Sequence, residues 1–156
     1  MVDLFKDLAG ISTQLNQKSD KLNPIISSVN AKLAKLNLGA EVWLYDDPIE
    51  QSEAYVRTDE REDVHYCVDA VVFGYCRLDD AWKLALKKVT YDTAEGDEES
   101  ERLEVSRAKR SLLEASRSAR IKAVQLIPNL LSAIKEAGQS MLDGIEQAEK
   151  AAAELL

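Results

Sequence analysis

The chain has 156 residues, 46% of them hydrophobic and 31% charged, a composition typical of a folded globular protein rather than a disordered one. Its net charge is −8, so phosphate backbones and anionic membranes repel the molecule as a whole. No apolar stretch reaches the roughly eighteen residues that a membrane span needs, and residues 1–7 lack the features of a signal peptide.

The cysteine content points to a reducing compartment. Cys67 and Cys76 are too few for a disulfide scaffold or a four-thiolate zinc site. We therefore expect a cytoplasmic protein that holds neither a metal nor a cofactor.

Residues 1–38 have the pattern of amphipathic helices. Pro24 follows Asn23 in the manner of a helix start, which predicts two helices over about 3–19 and 24–37, with Gly39 as the C-terminal stop. Apolar residues recur at seven-residue intervals and at complementary positions, a spacing that resembles a coiled coil. They are Leu8, Leu15, Leu22, Val29 and Leu36, joined by Leu4, Ile11, Ile25, Ile26 and Leu33.

Residues 41–92 form a β-rich block that holds both tryptophans, the single histidine and all five tyrosines. The clearest element is a hairpin of 71–78 and 81–87 that turns at Asp79-Asp80. Earlier strands are predicted at 41–45, 53–57 and 64–69, giving an antiparallel meander of four or five strands. The apolar pattern changes phase after Lys88, which predicts a bulge or twist. The hairpin would pair Arg77 with Trp82, Tyr75 with Leu84, and Phe73 with Leu86.

Residues 98–156 are predicted to form long helices, because their apolar residues recur at spacings of three and four. Pro128 is expected to kink or divide this region near 124–128. Together the blocks predict one α+β domain over 1–156. The apolar stripe comprises Val105, Ala108, Leu112, Ala115, Ala119, Ala123, Leu126, Leu130, Ile134, Ala137, Met141, Ile145, Ala148, Ala152 and Leu155.

The only histidine is a candidate for acid–base chemistry. On a strand, His65 shares a face with Cys67 and Asp69, so a metal corner or an activated thiolate is conceivable. Either role needs further groups that the sequence does not offer nearby. We favour a polar strand face, assign no catalytic residue, and keep an enzyme that uses His65 and a carboxylate as a third hypothesis.

Charged residues are concentrated in two places. The stretch 41–63 carries nine acids and two basic residues, without the glycine turn of a calcium loop, which favours a solvated loop or an acidic partner surface. A basic group, with Lys109, Arg110, Arg117 and Arg120 on one flank of a helix, favours pairing with acidic groups over nucleic acid, since no nucleic-acid motif accompanies it. The basic residues are Arg107, Lys109, Arg110, Arg117, Arg120 and Lys122.

Aromatic residues offer one candidate pocket. Trp43, Tyr75 and Trp82, with Arg77 opposite Trp82, could line a site between the sheet and the helices, although core packing is the favoured interpretation. A small-ligand-binding or sensory module is therefore our second hypothesis. Gly74 suggests a bulge or the close approach of a helix.

The surplus of helical apolar surface over a small sheet leads to our first hypothesis. It is a non-enzymatic interaction or structural module that binds a protein partner or itself through its helical stripes, most simply as a homodimer. We expect no contact with membranes.

Overall fold

The computed structural model describes residues 3–94, 101–103 and 108–155. It confirms the α+β class, with helices first, an antiparallel sheet next and a long helix last. In chain order the elements are α1 Leu4–Asp20, α2 Leu22–Leu36, β1 Val42–Trp43, β2 Glu50–Gln51, β3 Tyr55–Thr58, β4 Val64–Leu78, β5 Ala81–Ala94, β6 Glu101–Leu103, β7 Lys109–Ser111, a 3-10 turn Leu112–Glu114 and α3 Arg117–Leu155.

The two predicted N-terminal helices are present, with different boundaries. Only Lys21 separates them, and it keeps right-handed helical dihedral angles. Pro24 lies in the first turn of α2, where a missing N–H disturbs no helical hydrogen bond. Asn37, with φ 48°, is the C-cap of α2. The stop therefore comes before Gly39, because asparagine tolerates the left-handed conformation.

Two long central strands organise the sheet. β1, β2 and β3 pair in turn with one side of β4, while β7 and β6 pair with the far side of β5. The two strands predicted at 64–69 and 71–78 are one continuous strand, β4. The described sheet contains seven strands, more than predicted, because both edge rows are interrupted.

The predicted hairpin register is confirmed. Arg77 pairs with Trp82, Tyr75 with Leu84, and Phe73 with Leu86. Asp79 and Asp80 form the two-residue turn with φ of 49° and 62°, the positive values that match strand twist.

The bulge predicted after Lys88 is absent. The register runs without a break from Leu78–Ala81 to His65–Ala94. The apolar pattern changes phase because Val89 packs with Ala70 and Val72 on the second face of the sheet, under Trp43 and Tyr45. Both faces are therefore apolar there.

The prediction of a helix from residue 98 was wrong for its first part. Residues 101–103 and 109–111 are strands, and α3 begins at Arg117. These edge strands provide hydrogen-bond partners for the outer backbone groups of β5, which local periodicity does not indicate. Val105 lies outside the described residues.

α3 is one continuous helix of 39 residues, about 58 Å long at 1.5 Å per residue. Pro128 lies within it and does not divide it. Ile127 and Leu130 are buried on either side of Pro128, so packing against the sheet offsets the lost backbone hydrogen bond.

The core lies between one face of the sheet and the helices α2 and α3. Leu84 and Leu86 on β5 meet Ile26 and Leu33 of α2, and the first half of α3 completes the cluster. Asn30 Oδ1 accepts a hydrogen bond from the Leu84 backbone N–H at 2.8 Å, which anchors α2 to β5.

Candidate functional site

α1 presents an apolar face that nothing in the described chain covers. Except for Ser19, every residue of α1 is exposed. Leu4, Leu8, Ile11 and Leu15 follow the four–three–four spacing of a coiled-coil seam, and Ile11 is 55% exposed. The helix is held at its C-terminal end, where Arg117 of α3 donates a hydrogen bond to Asn16.

The second uncovered face is on the last part of α3, residues 139–155, here called the α3 tail. Every residue of the tail is exposed. Its apolar residues form a seam that begins at Met141 and continues through Ile145, Ala148, Ala152 and Leu155. Ile145 is 54% exposed. The tail is also acidic. It carries Asp143, Glu146, Glu149 and Glu154 against a single Lys150.

A groove of about 580 Å³ leads into the tail from the end of α2. Leu36 and Leu38 line one side, and Leu142 and Ile145 of α3 line the other. Gly138 lies 4.0 Å from Leu38 at the groove floor, measured from the Cβ that an alanine would have there. The groove makes the tail seam continuous with the exposed end of α2.

His65 lies in a cluster of ionised groups on the helix-bearing face of the sheet, beyond the helices. Its Nδ1 is 2.7 Å from Asp92 Oδ1, and its Nε2 is 3.1 Å from Asp59 Oδ2. Arg57 Nη2 donates to the second oxygen of Asp92 at 2.7 Å. Asp92 is 5% exposed, so its charge is desolvated and needs these partners.

The two carboxylates favour the protonated form of the histidine. Hydrogen bonds to Asp92 and Asp59 raise the pKa of His65 above its usual 6.5. The hydrogen bond from His65 lowers the pKa of Asp59 below its usual 3.8. In the protonated form, which these contacts favour, both ring nitrogens donate to carboxylates, so neither is placed to accept a proton from a substrate.

Cys67 and Asp69 lie on the same strand face as His65, as predicted. The ring nitrogens of His65 contact Asp92 and Asp59, whereas Cys67 lies beside Arg57, so Cys67 is not paired with the histidine as an activated thiolate would be. Cys67 is 1% exposed. Asp69 Oδ1 instead accepts hydrogen bonds from Tyr55 and Thr90.

Sequence reasoning missed Asp92 and Asp59 as partners of His65. The signal for Asp92 was present, because extending the hairpin register along β5 brings Asp92 opposite Cys67, next to His65. The sequence signal for Asp59 was an aspartate at the start of a polar turn, a position where its carboxylate can accept backbone hydrogen bonds. Its carboxylate accepts backbone hydrogen bonds from Arg61 and Asp63 and closes the turn between β3 and β4.

The predicted aromatic pocket does not form, because the sheet separates its members. Tyr75 and Trp82 stack at 5.5 Å on the helix-bearing face, where Tyr75 is buried. Trp43 lies on the opposite face, against Gly74. An added Cβ at Gly74 would be 2.3 Å from the Val42 carbonyl oxygen and 2.4 Å from the Trp43 ring. The glycine therefore marks the close approach of strand β1, not the bulge or the helix approach that was predicted.

Trp43 belongs instead to an aromatic cluster that encloses a lysine. Lys87 is 6% exposed, donates to Tyr45 Oη at 2.8 Å, and lies 4.5 Å from the Trp43 ring centroid. Lys109 and Trp43 both donate to Glu41. These cation–π and hydrogen-bond contacts satisfy the buried ammonium group and tie β1 to the sheet.

The basic residues do not form the single helix flank that was predicted, because Lys109 and Arg110 lie on β7. Lys109 pairs with Glu41 at 2.8 Å, an acid of the chain itself. Arg117 and Arg120, at the start of α3, donate to the amide oxygens of Asn16 and Asn23. Within the described part of the chain, neither arginine forms an ion pair with a carboxylate. Arg107 lies outside the described residues.

A shallow groove crosses the helix-bearing face of the sheet beside the core. Two cavities of about 460 and 470 Å³ share Val71 and Lys88. Asp69 and Thr90 lie in the first, and Arg110 lies in the second.

Among the residues that the structure describes, no group of three or more His, Cys, Asp or Glu side chains is arranged to hold a metal ion. Over the same residues, no helix combines the length and the apolar character that crossing a bilayer requires. Comparison of the chain with protein-family models, with curated proteins and with solved structures finds no match.

Proposed function

We propose that the chain is a protein-interaction module that associates with a second copy of itself through the uncovered faces of α1 and the α3 tail. One observation carries this proposal. Two helical segments keep a regular apolar seam although no part of the described chain covers it. A monomer would gain nothing from such a seam, whereas a partner helix would bury it.

The amount of exposed apolar surface is enough to drive association. Complete burial of one Leu or Ile contributes roughly 1.5–3 kcal/mol, so covering a half-exposed one contributes on the order of 1 kcal/mol. With both copies counted, the two seams contribute on the order of 10–15 kcal/mol. This is comparable with the roughly 4–15 kcal/mol that association costs, so a dimer that depends on concentration is expected.

The test compares two charge-matched variants of α1. Leu8→Glu with Ile11→Glu places two carboxylates in the seam, while Thr13→Glu with Gln17→Glu places two on the opposite side of the same helix. In sedimentation equilibrium the seam variant is expected to be monomeric, and the control is expected to remain a dimer. Circular dichroism checks that both retain their helix content. Equal masses for the two variants would contradict the proposal.

The groove on the sheet supports a second candidate, a small-ligand-binding module. Its lining combines the apolar Val71 with the ionised Asp69 and Lys88, as ligand sites often do. A small molecule held there should appear as extra mass in a native mass spectrum of the unaltered chain. Val71→Trp, which fills the groove, should abolish that mass, and bare chains in both spectra would remove the support for this candidate.

A further inference from the structure

The two uncovered faces lie at opposite ends of the molecule. α2 and α3 run in the same direction, since Asn23 meets Arg120 at their beginnings and Leu38 lies beside Gly138 further along. α1 precedes α2 without a reversal of the chain, and the α3 tail continues past the end of α2. One chain therefore cannot cover its α1 with its own tail.

The spacing of the two seams matches when one helix is reversed. α1 carries large apolar residues at 4, 8, 11 and 15, and the tail carries apolar residues at 152, 148, 145 and 141 in the opposite direction, so both follow a four–three–four spacing. This alignment sets Leu4 against Ala152 and Leu8 against Ala148, so large side chains face small ones in that half of the seam. Pairing α1 with another α1 would instead set Leu8 against Ile11, with no small residue to receive either.

The charges favour the same partner. Lys18, Lys21, Arg117 and Arg120 lie around the C-terminal end of α1. In the reversed alignment Lys18, at this basic end, lies within two helical turns of the acidic residue at 143 in the first part of the partner's tail. Two tails side by side would bring their carboxylates together and repel each other.

We propose that two copies pair antiparallel about a twofold axis, with α1 of each copy lying on the α3 tail of the other. This inference rests on the proposed self-association and specifies its geometry. With this twofold symmetry, the helices of each copy cover both seams of the other, and the assembly closes at two chains.

Disulfide trapping tests this arrangement. A chain carrying both Leu8→Cys and Ala148→Cys is oxidised gently and compared with the two single variants and with a chain carrying Thr13→Cys and Ala148→Cys. The native Cys67 and Cys76 are buried, and the unaltered chain reports any cross-link that they form. Sedimentation of each reduced variant measures its mass.

The proposal predicts that the Leu8→Cys/Ala148→Cys chain forms a covalent dimer and that both single variants and the Thr13→Cys pair do not. A cross-link with Leu8→Cys alone would show α1 pairing with α1 and overturn the inference while leaving self-association intact. A ladder of higher covalent species would show head-to-tail assembly and also overturn it. If the reduced variants are dimers but none of them cross-links on oxidation, the proposed geometry fails and self-association stands. If every variant and the unaltered chain are monomers, both the geometry and the proposed function fail.

Discussion

Gly74 is the position on β4 with the least room for a side chain. The Val42 carbonyl and the Trp43 ring occupy the space that a Cβ would need, and the ring can move only by leaving the cluster around Lys87. Gly74→Ala is therefore expected to lower the free energy of unfolding by roughly 1–3 kcal/mol, measured by urea denaturation.

Gly10→Ala is the matched control for Gly74→Ala. Nothing lies within 4 Å of a Cβ at Gly10, which is exposed in the middle of α1. Alanine there should raise helix stability by about 0.5–1 kcal/mol. If the two substitutions have equal effects, the close contact at Gly74 is not present in solution.

His65 gives the stability of the β3–β4 region a pH dependence. The raised pKa of His65 means that its contribution is complete below pH 6.5 and is lost as the pH rises through the folded-state pKa. The lowered pKa of Asp59 means that its contribution is complete above pH 3.8 and is lost as the pH falls through its folded-state pKa. The cluster therefore stabilises the protein most between these two values.

His65→Gln, which keeps a polar side chain without the titratable charge, tests this expectation. Urea denaturation at pH 5.5 and at pH 9 should show a fall in stability for the unaltered chain. The fall should be smaller for the variant, and the difference between the two chains should be largest at pH 5.5. Parallel pH profiles for the two chains would count against the ion cluster.

Among the elements, α2 is joined to the sheet by a polar anchor. Asn30 satisfies the backbone N–H of Leu84, and Leu84 is fully buried. Asn30→Ala leaves that N–H without a partner and should lower the free energy of unfolding by about 1–3 kcal/mol. Asn129→Ala makes the same change at an exposed position of α3 and should change it by no more than about 0.5 kcal/mol. Equal losses in urea denaturation would contradict the anchoring role.

The sequence predicted elements whose structure is set by neighbouring residues. The Asp79-Asp80 turn determines the pairing of Phe73 with Leu86, because a two-residue loop leaves one register. The helices α1 and α2 follow from their periodicity in the same way.

Elements that depend on distant partners were not predictable. β6 and β7 are three residues each and are held by β5, so the helical spacing around Ala108 and Leu112 gave no sign of them. The side of the sheet on which Trp43 lies depends on its pairing with Gly74, and β1 alone is too short to show an alternation. Asp92 could be recognised as a partner of His65 only by extending the hairpin register along the whole of β5.

At the scale of the whole chain, the exposure of α1 and the α3 tail is the feature that distinguishes this structure from a closed helical core. The coiled-coil-like spacing was readable from the sequence. The sequence did not show that these apolar faces lack a partner within the chain, because their separation depends on the parallel course of α2 and α3. The proposed self-association through these faces would bury the two regular apolar seams on an otherwise acidic surface.

Sedimentation equilibrium of the unaltered chain over a wide concentration range tests this self-association most directly. The account predicts that the mass rises from one chain of 17.4 kDa to two and goes no further, and that the thermal midpoint rises with concentration over the same range. A mass that stays at one chain at every concentration, with a constant thermal midpoint, would contradict it.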